Sequence, residues 1–101
     1  MPKRAELSAR ARRELLAATR WIARDSPGAA RALRAAVLQA GQLIGEHPLA
    51  GAQRPELTSA PLRFLTVKRF AYLLAYDPDS DPPMIVRILH AARDLPTVLS
   101  D

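Results

Sequence analysis

The chain contains no cysteine and only two histidines, His47 and His90. Disulfides and thiolate metal sites are therefore excluded, and two histidines this far apart argue against a zinc centre. No run approaches 18 apolar residues, and the start MPKRAELSARARRE has no apolar core of the kind a secretory leader needs. Neither secretion nor membrane insertion is expected, which leaves the cytoplasm as the expected location. Several catalytic signatures are missing too: there is no glycine-rich phosphate loop, no G-x-S-x-G, no H-E-x-x-H and no paired-carboxylate spacing. No cofactor is implied. Internal repeats are absent, and the only compositional bias is the Ala/Arg richness of the first half.

What is present is the composition of an ordinary globular domain. At 101 residues, 49% hydrophobic and 25% charged, the chain supports one domain with one core. Its net charge of +5 is unevenly placed: residues 1–34 hold nine Lys or Arg against three acids, and residues 35–101 hold six against seven. Such a basic segment is either a solvated helix face or a surface for an acidic partner, nucleic acid or polypeptide.

Helical spacing dominates the first half. Leu7 ends a short stretch that fits an edge strand, and Ser8 is a plausible N-cap for a helix running to about Arg24. Ala11, Leu15, Ala18 and Ile22 fall on one stripe, with Arg13, Arg20 and Arg24 on the opposite side. Ser26-Pro27 supplies a cap and a first-turn proline for a second helix, whose stripe is Leu33, Val37, Ala40 and Ile44 and whose end is marked by Gly45 and His47-Pro48. The short connection makes the two helices antiparallel neighbours. Trp21 flanks the first stripe and is expected in the core. Leu16 and Leu38 lie off both stripes at a similar height, as isolated surface leucines or as a small patch for a subunit or partner.

Strand character follows a loop rich in proline, His47 to Pro61. Leu62–Val67 and Phe70–Tyr76 read as two strands joined around Lys68-Arg69. In the second, bulky Phe70, Tyr72, Leu74 and Tyr76 alternate with Ala71, Leu73 and Ala75. After the polar turn DPDSDPP comes Met84–Leu89, a β-branched apolar run interrupted by Arg87, which needs a partner. His90, Arg93 and Asp94 stand at its end, and Pro96 should stop it. The fold class expected is α+β: a helical hairpin packed on a small curved antiparallel sheet, with a short first strand before the helices.

Arg63, Lys68, Arg69, Arg87, His90 and Arg93 are the cationic or titratable groups of the sheet half. Strand arginines can hold a planar donor fork in place for phosphate or carboxylate, or can pair internally with Asp94 or Glu56. His90 is of the residue type most used for general acid–base work, although a lone strand-end histidine more often makes a single hydrogen bond. The residues support a basic binding domain more firmly than an enzyme.

Taken in order, these segments resemble the RelE/ParE superfamily of bacterial type II toxins over nearly the whole chain. LSARARRELLAATRWIARDSPGAARAL is similar to the family's first helix and turn. HPLAGAQRPEL matches its P-x-x-G-x-x-R-x-E-L loop. LRFLTVKRFAYLLAY matches its two middle strands, with Arg63 and Phe64 in place, and VRILHAARDLPTVL resembles the strand and tail of the ParE branch. The resemblance implies a dedicated antitoxin that wraps the toxin with apolar and acidic side chains. It also implies one of two targets, with a non-toxic, basic nucleic-acid-binding member of the family as a third reading. RelE-like members cut messenger RNA on the ribosome, for which Arg63, Arg87, His90 and Arg93 would be the candidate catalytic set. ParE-like members bind DNA gyrase. Leu73 stands where the RNA cutters carry arginine, and the tail after Arg93 has neither tyrosine nor lysine, so the ParE branch is expected. Arg63, Lys68, Arg69, Arg87, His90, Arg93, Leu16 and Leu38 are then the expected partner-binding residues, with no metal site.

Overall fold

Two serines start the two helices. In the computed structural model, which describes residues 4–94 apart from the side chain of Lys68, the Ser8 hydroxyl accepts the Ala11 N–H at the head of α1 (Ala9–Ala23), and Ser26 accepts that of Ala29 at the head of α2 (Pro27–Glu46). Each cap satisfies a backbone donor that the first helical turn leaves unpaired. Pro27 occupies the first turn of α2, where its missing N–H is harmless. Gly45 lies inside α2 rather than ending it, and His47 is the cap.

Both apolar stripes face inward as expected. Ala11, Ala18, Leu33, Val37 and Ile44 are buried, and Leu15, Ile22 and Ala40 pack against them at the margin. Burial of a Leu, Val or Ile side chain stabilises by about 1.5–3 kcal/mol, so Leu33, Val37 and Ile44, all buried almost completely, hold much of the hairpin in place.

The sheet has five strands in the order β1-β5-β4-β3-β2. The strands are β1 (Glu6–Leu7), β2 (Ala52–Gln53), β3 (Arg63–Val67), β4 (Tyr72–Asp77) and β5 (Met84–His90). The expected three-strand meander is its centre, β3, β4 and β5, paired antiparallel. Two additions widen it: β2 pairs with β3, and β1 lies parallel to β5, so the strand suspected at Leu7 closes one edge. The turn at Lys68-Arg69 is looser than two adjoining strands would make it. Lys68–Phe70 form a 3-10 turn, Ala71 takes a left-handed conformation at φ 56°, and β4 begins only at Tyr72.

Alternation along β4 sorts two cores. Tyr72, Leu74 and Tyr76 face the helices with Val67, Ile85 and Ile88. Leu73 and Ala75 face the other way with Phe64, against Leu57 and Leu62 of the long loop. α1 lies over β5 and α2 over β3. One expectation fails here: Trp21 is 61% exposed. It sits one residue, about 100°, round the helix from Ile22, and the Arg24 guanidinium lies 5.1 Å from its ring. Its ring borders an open cleft beside Tyr72 and Ile88 rather than the packed core.

Candidate functional site

Internal bonds account for the two strand arginines. Arg63, at the start of β3, donates to the Gly51 carbonyl at 2.7 Å. That carbonyl belongs to a loop held in a fixed shape: Tyr76 donates its hydroxyl to the Pro48 carbonyl at 2.7 Å and accepts the Gly51 N–H at 2.8 Å. Gly51 must be glycine, because a Cβ there would lie 2.8 Å from the Phe64 carbonyl oxygen and 2.8 Å from the Tyr76 ring. A few residues on, Arg54 pairs with Glu56 at 2.7 Å, and that hydrogen bond holds the Glu56 carboxyl below its ordinary range. The loop motif of the sequence is thus a mould around Tyr76.

Arg87 finds its partner in neither Asp94 nor Glu56. Its guanidinium meets the Glu14 carboxylate of α1 through Nη2 at 2.8 Å and Nε at 3.0 Å, and the same carboxylate accepts the Ile88 N–H at 2.9 Å. Glu14 was not marked by its sequence context, one acid amid arginines. On the side of β5 away from β4, no strand follows β1 past Leu7, and this carboxylate takes the place of one there. Two residues further, the His90 N–H is accepted by Asp94 at 2.8 Å. The open edge of β5 is therefore closed by two acid side chains.

His90, Arg93 and Asp94 form a tight turn at the strand end. The His90 Nδ1 accepts the Arg93 N–H at 3.2 Å, its ring stands edge-on to Tyr72 with centroids 5.3 Å apart, and Arg93 pairs with Asp94 at 3.1 Å. Burial pushes the Asp94 carboxyl up, but the His90 N–H and the Arg93 guanidinium outweigh it, and the group is held below the usual carboxylate range. Arg93 and Asp94 join Glu14, Trp21, Tyr72 and Ile88 around an open cleft of about 280 Å³. The segment from Leu95 onward, including Pro96, lies outside the described residues.

The candidate catalytic set is not gathered in one place. Arg63 is opposite Tyr76 on one side of β4, and His90 is opposite Tyr72 on the other. Four residues along the strand and two strand spacings across put their backbones roughly 16 Å apart. Arg63 is thus set apart from Arg87, His90 and Arg93, which share β5 and the turn after it. Arg69 is exposed on the 3-10 turn, with its guanidinium 5.5 Å from the Phe70 ring, and Lys68 shares that turn.

Leu16 and Leu38 do come together. They are 49% and 46% exposed and line one groove of about 320 Å³ with Leu7, Leu15 and Thr19, with Arg12 and Arg34 also at its walls. The groove is apolar at its floor and cationic at its rim. Among the described residues, no group of three or more His, Asp or Glu is placed to hold a metal, and no helix is long and apolar enough to cross a membrane.

Comparison with known proteins gives a consistent picture. The model of the ParE toxin of the type II toxin-antitoxin system parDE matches residues 5–95. Among solved structures, the chromosomal ParDE TA system from P. aeruginosa is similar with a TM-score of 0.69 and 19% sequence identity, over 88% of this chain and 96% of that one. At that identity the likeness is one of fold. No curated protein matches in sequence.

Proposed function

The chain belongs to the ParE family of type II toxins, and from that premise we propose that it inhibits DNA gyrase by direct binding and is neutralised by a cognate antitoxin. The observation that carries the reading is the engagement of the strand arginines. Arg63 is held by the Gly51 carbonyl and Arg87 by Glu14, so the groups an RNA cutter would aim at a phosphate shape the sheet instead. What remains outward is a recognition surface. In this reading the antitoxin lays apolar side chains on Leu16 and Leu38, with acidic ones toward Arg12 and Arg34. Lys68, Arg69, His90 and Arg93 contribute to partner recognition at the far end of the sheet, while Arg63 and Arg87 act as positioning residues. Since gyrase works on chromosomal DNA, the site of action is the cytoplasm.

Purified protein incubated with gyrase, ATP and relaxed plasmid should abolish supercoiling and accumulate cleaved DNA. Normal supercoiling at stoichiometric excess would overturn the target. Ribosomes programmed with a defined message provide the contrasting assay, in which the message is expected to stay intact. A short neighbouring reading frame whose product suppresses the gyrase effect would identify the antitoxin.

A further inference from the structure

The outer face of the helical hairpin carries more cation than its groove for a partner needs. Between residues 10 and 34 every arginine is exposed, and the acids there are Glu14, committed to Arg87, and Asp25. The groove walled by Arg12 and Arg34 continues past Thr19 and Arg34 into a second hollow of about 320 Å³ along the α1–α2 seam. Its floor is small and featureless, Ala23, Pro27 and Ala30, and Arg20, Arg31 and Arg34 stand around it.

We infer that this seam of Arg12, Arg20, Arg31 and Arg34 binds the sugar–phosphate backbone of duplex DNA without regard to sequence. The charge and the shape of the site both favour this occupant. A protein partner must offset the loss of its freedom with buried anchoring side chains, and a shallow floor of alanines and a proline gives an anchor nothing to enter. The leucine groove next to it has that capacity. A polyphosphate needs no anchor, because each neutralised phosphate releases counterions. Guanidinium forks suit phosphate oxygens. The distances agree as well: Arg12 and Arg20 are eight residues apart on one helix, about 12 Å, a length of duplex axis over which each strand carries about three to four phosphates. The proposal needs no gyrase, and it shares Arg12 and Arg34 with the antitoxin reading, so DNA and antitoxin would compete for that end of the seam.

The test is fluorescence anisotropy of the full-length protein with labelled 20-base-pair duplexes of two unrelated sequences, over a series of KCl concentrations and with no gyrase present. Both duplexes should bind equally, with log Kd rising against log salt at a slope near 3 to 4. The double variant R20Q/R34Q should lower that slope by about 2 and weaken binding at least tenfold. R10Q/R24Q removes the same charge from arginines outside the seam and should alter both quantities far less. R31E alone gives a second reading at the seam. Equal losses in the two double variants would overturn the proposal in favour of diffuse charge attraction. So would failure to bind either duplex at 50 mM KCl, or binding of poly-glutamate in preference to DNA, which would mark a surface for an acidic protein.

Discussion

Glu14 makes the sharpest stability prediction. Its carboxylate takes three bonds from two nitrogens of Arg87 and one from the Ile88 N–H, and the side chains of Arg87 and Glu14 are 12% and 22% exposed. Removing one partner of a fully buried ion pair costs about 3–5 kcal/mol, because the other charge is left uncompensated. Residual solvent access at Arg87 reduces that to about 1–2 kcal/mol, and the orphaned Ile88 N–H adds about 1 kcal/mol. Glu14→Ala is therefore expected to cost about 2–3 kcal/mol, a fall in Tm of roughly 10–20 °C for a domain this size. Glu14→Gln keeps an oxygen for the Ile88 N–H and should cost about half as much. Arg87→Ala leaves Glu14 exposed to water and still bonded to Ile88, so it should cost less than Glu14→Ala. Urea unfolding followed by circular dichroism, run as a double-mutant cycle, gives all three values and the coupling. A loss below about 0.5 kcal/mol in Glu14→Ala, or equal losses in the Ala and Gln variants, would refute the view that this carboxylate replaces a strand.

Gly51→Ala should destabilise by about 1–3 kcal/mol through overpacking against the Phe64 carbonyl and the Tyr76 ring, and Tyr76→Phe by about 1–3 kcal/mol through two lost buried bonds; thermal melts of both variants suffice, and a neutral Gly51→Ala would show that the loop moves freely. Substituting Leu16 and Leu38 together by Ser should change stability by less than about 1 kcal/mol while weakening antitoxin binding, measured by calorimetry; a large drop in Tm would mean the groove is core. The Asp94 carboxyl is held low in the folded protein, so its contribution is present above the ordinary aspartate pKa of about 4 and is lost as pH falls through the lower folded value. Protection of the His90 amide, taken relative to the intrinsic exchange rate at each pH, should fall over that acid range in the native protein, and in Asp94→Ala the loss should already be present at neutral pH; unchanged protection in the variant would sever the link.

Much of this architecture was readable from local signals. Ser8 and Ser26-Pro27 announce their helices because a cap acts within three residues, and the β4 alternation announces two buried faces because side chains in a strand change sides at every step. Readings that depended on distant partners did worse. Arg87 plainly needed a counter-charge, but its partner is 73 residues away, and nearby acids were the natural candidates. Trp21 lies close to an apolar stripe, yet periodicity gives an angle round the helix and not how far the packed core extends beneath it. The left-handed Ala71 carries no glycine to mark it. Gly51 was visible as part of a motif, but its need for hydrogen in place of Cβ depends on Phe64 and Tyr76 crossing it. For the site, Leu16 and Leu38 were paired correctly from helical geometry, while of the candidate catalytic residues Arg63 proved to lie two strands away from Arg87, His90 and Arg93, which share β5 and the turn after it.

The closure of β5 by Glu14 also sets a timetable. The acceptor is made early and the Ile88 N–H it covers is 74 residues later, so at about 5–20 residues per second α1 waits roughly 4–15 s on the ribosome before its carboxylate meets its strand. The parallel pairing of β1 with β5 waits equally long. Local contacts can form the hairpin during that interval, but this sheet edge is finished only once β5 has been synthesised, and α1 docks fully only then. An antitoxin present in that interval would meet a hairpin already formed, with its leucine groove exposed, before the far end of the sheet exists.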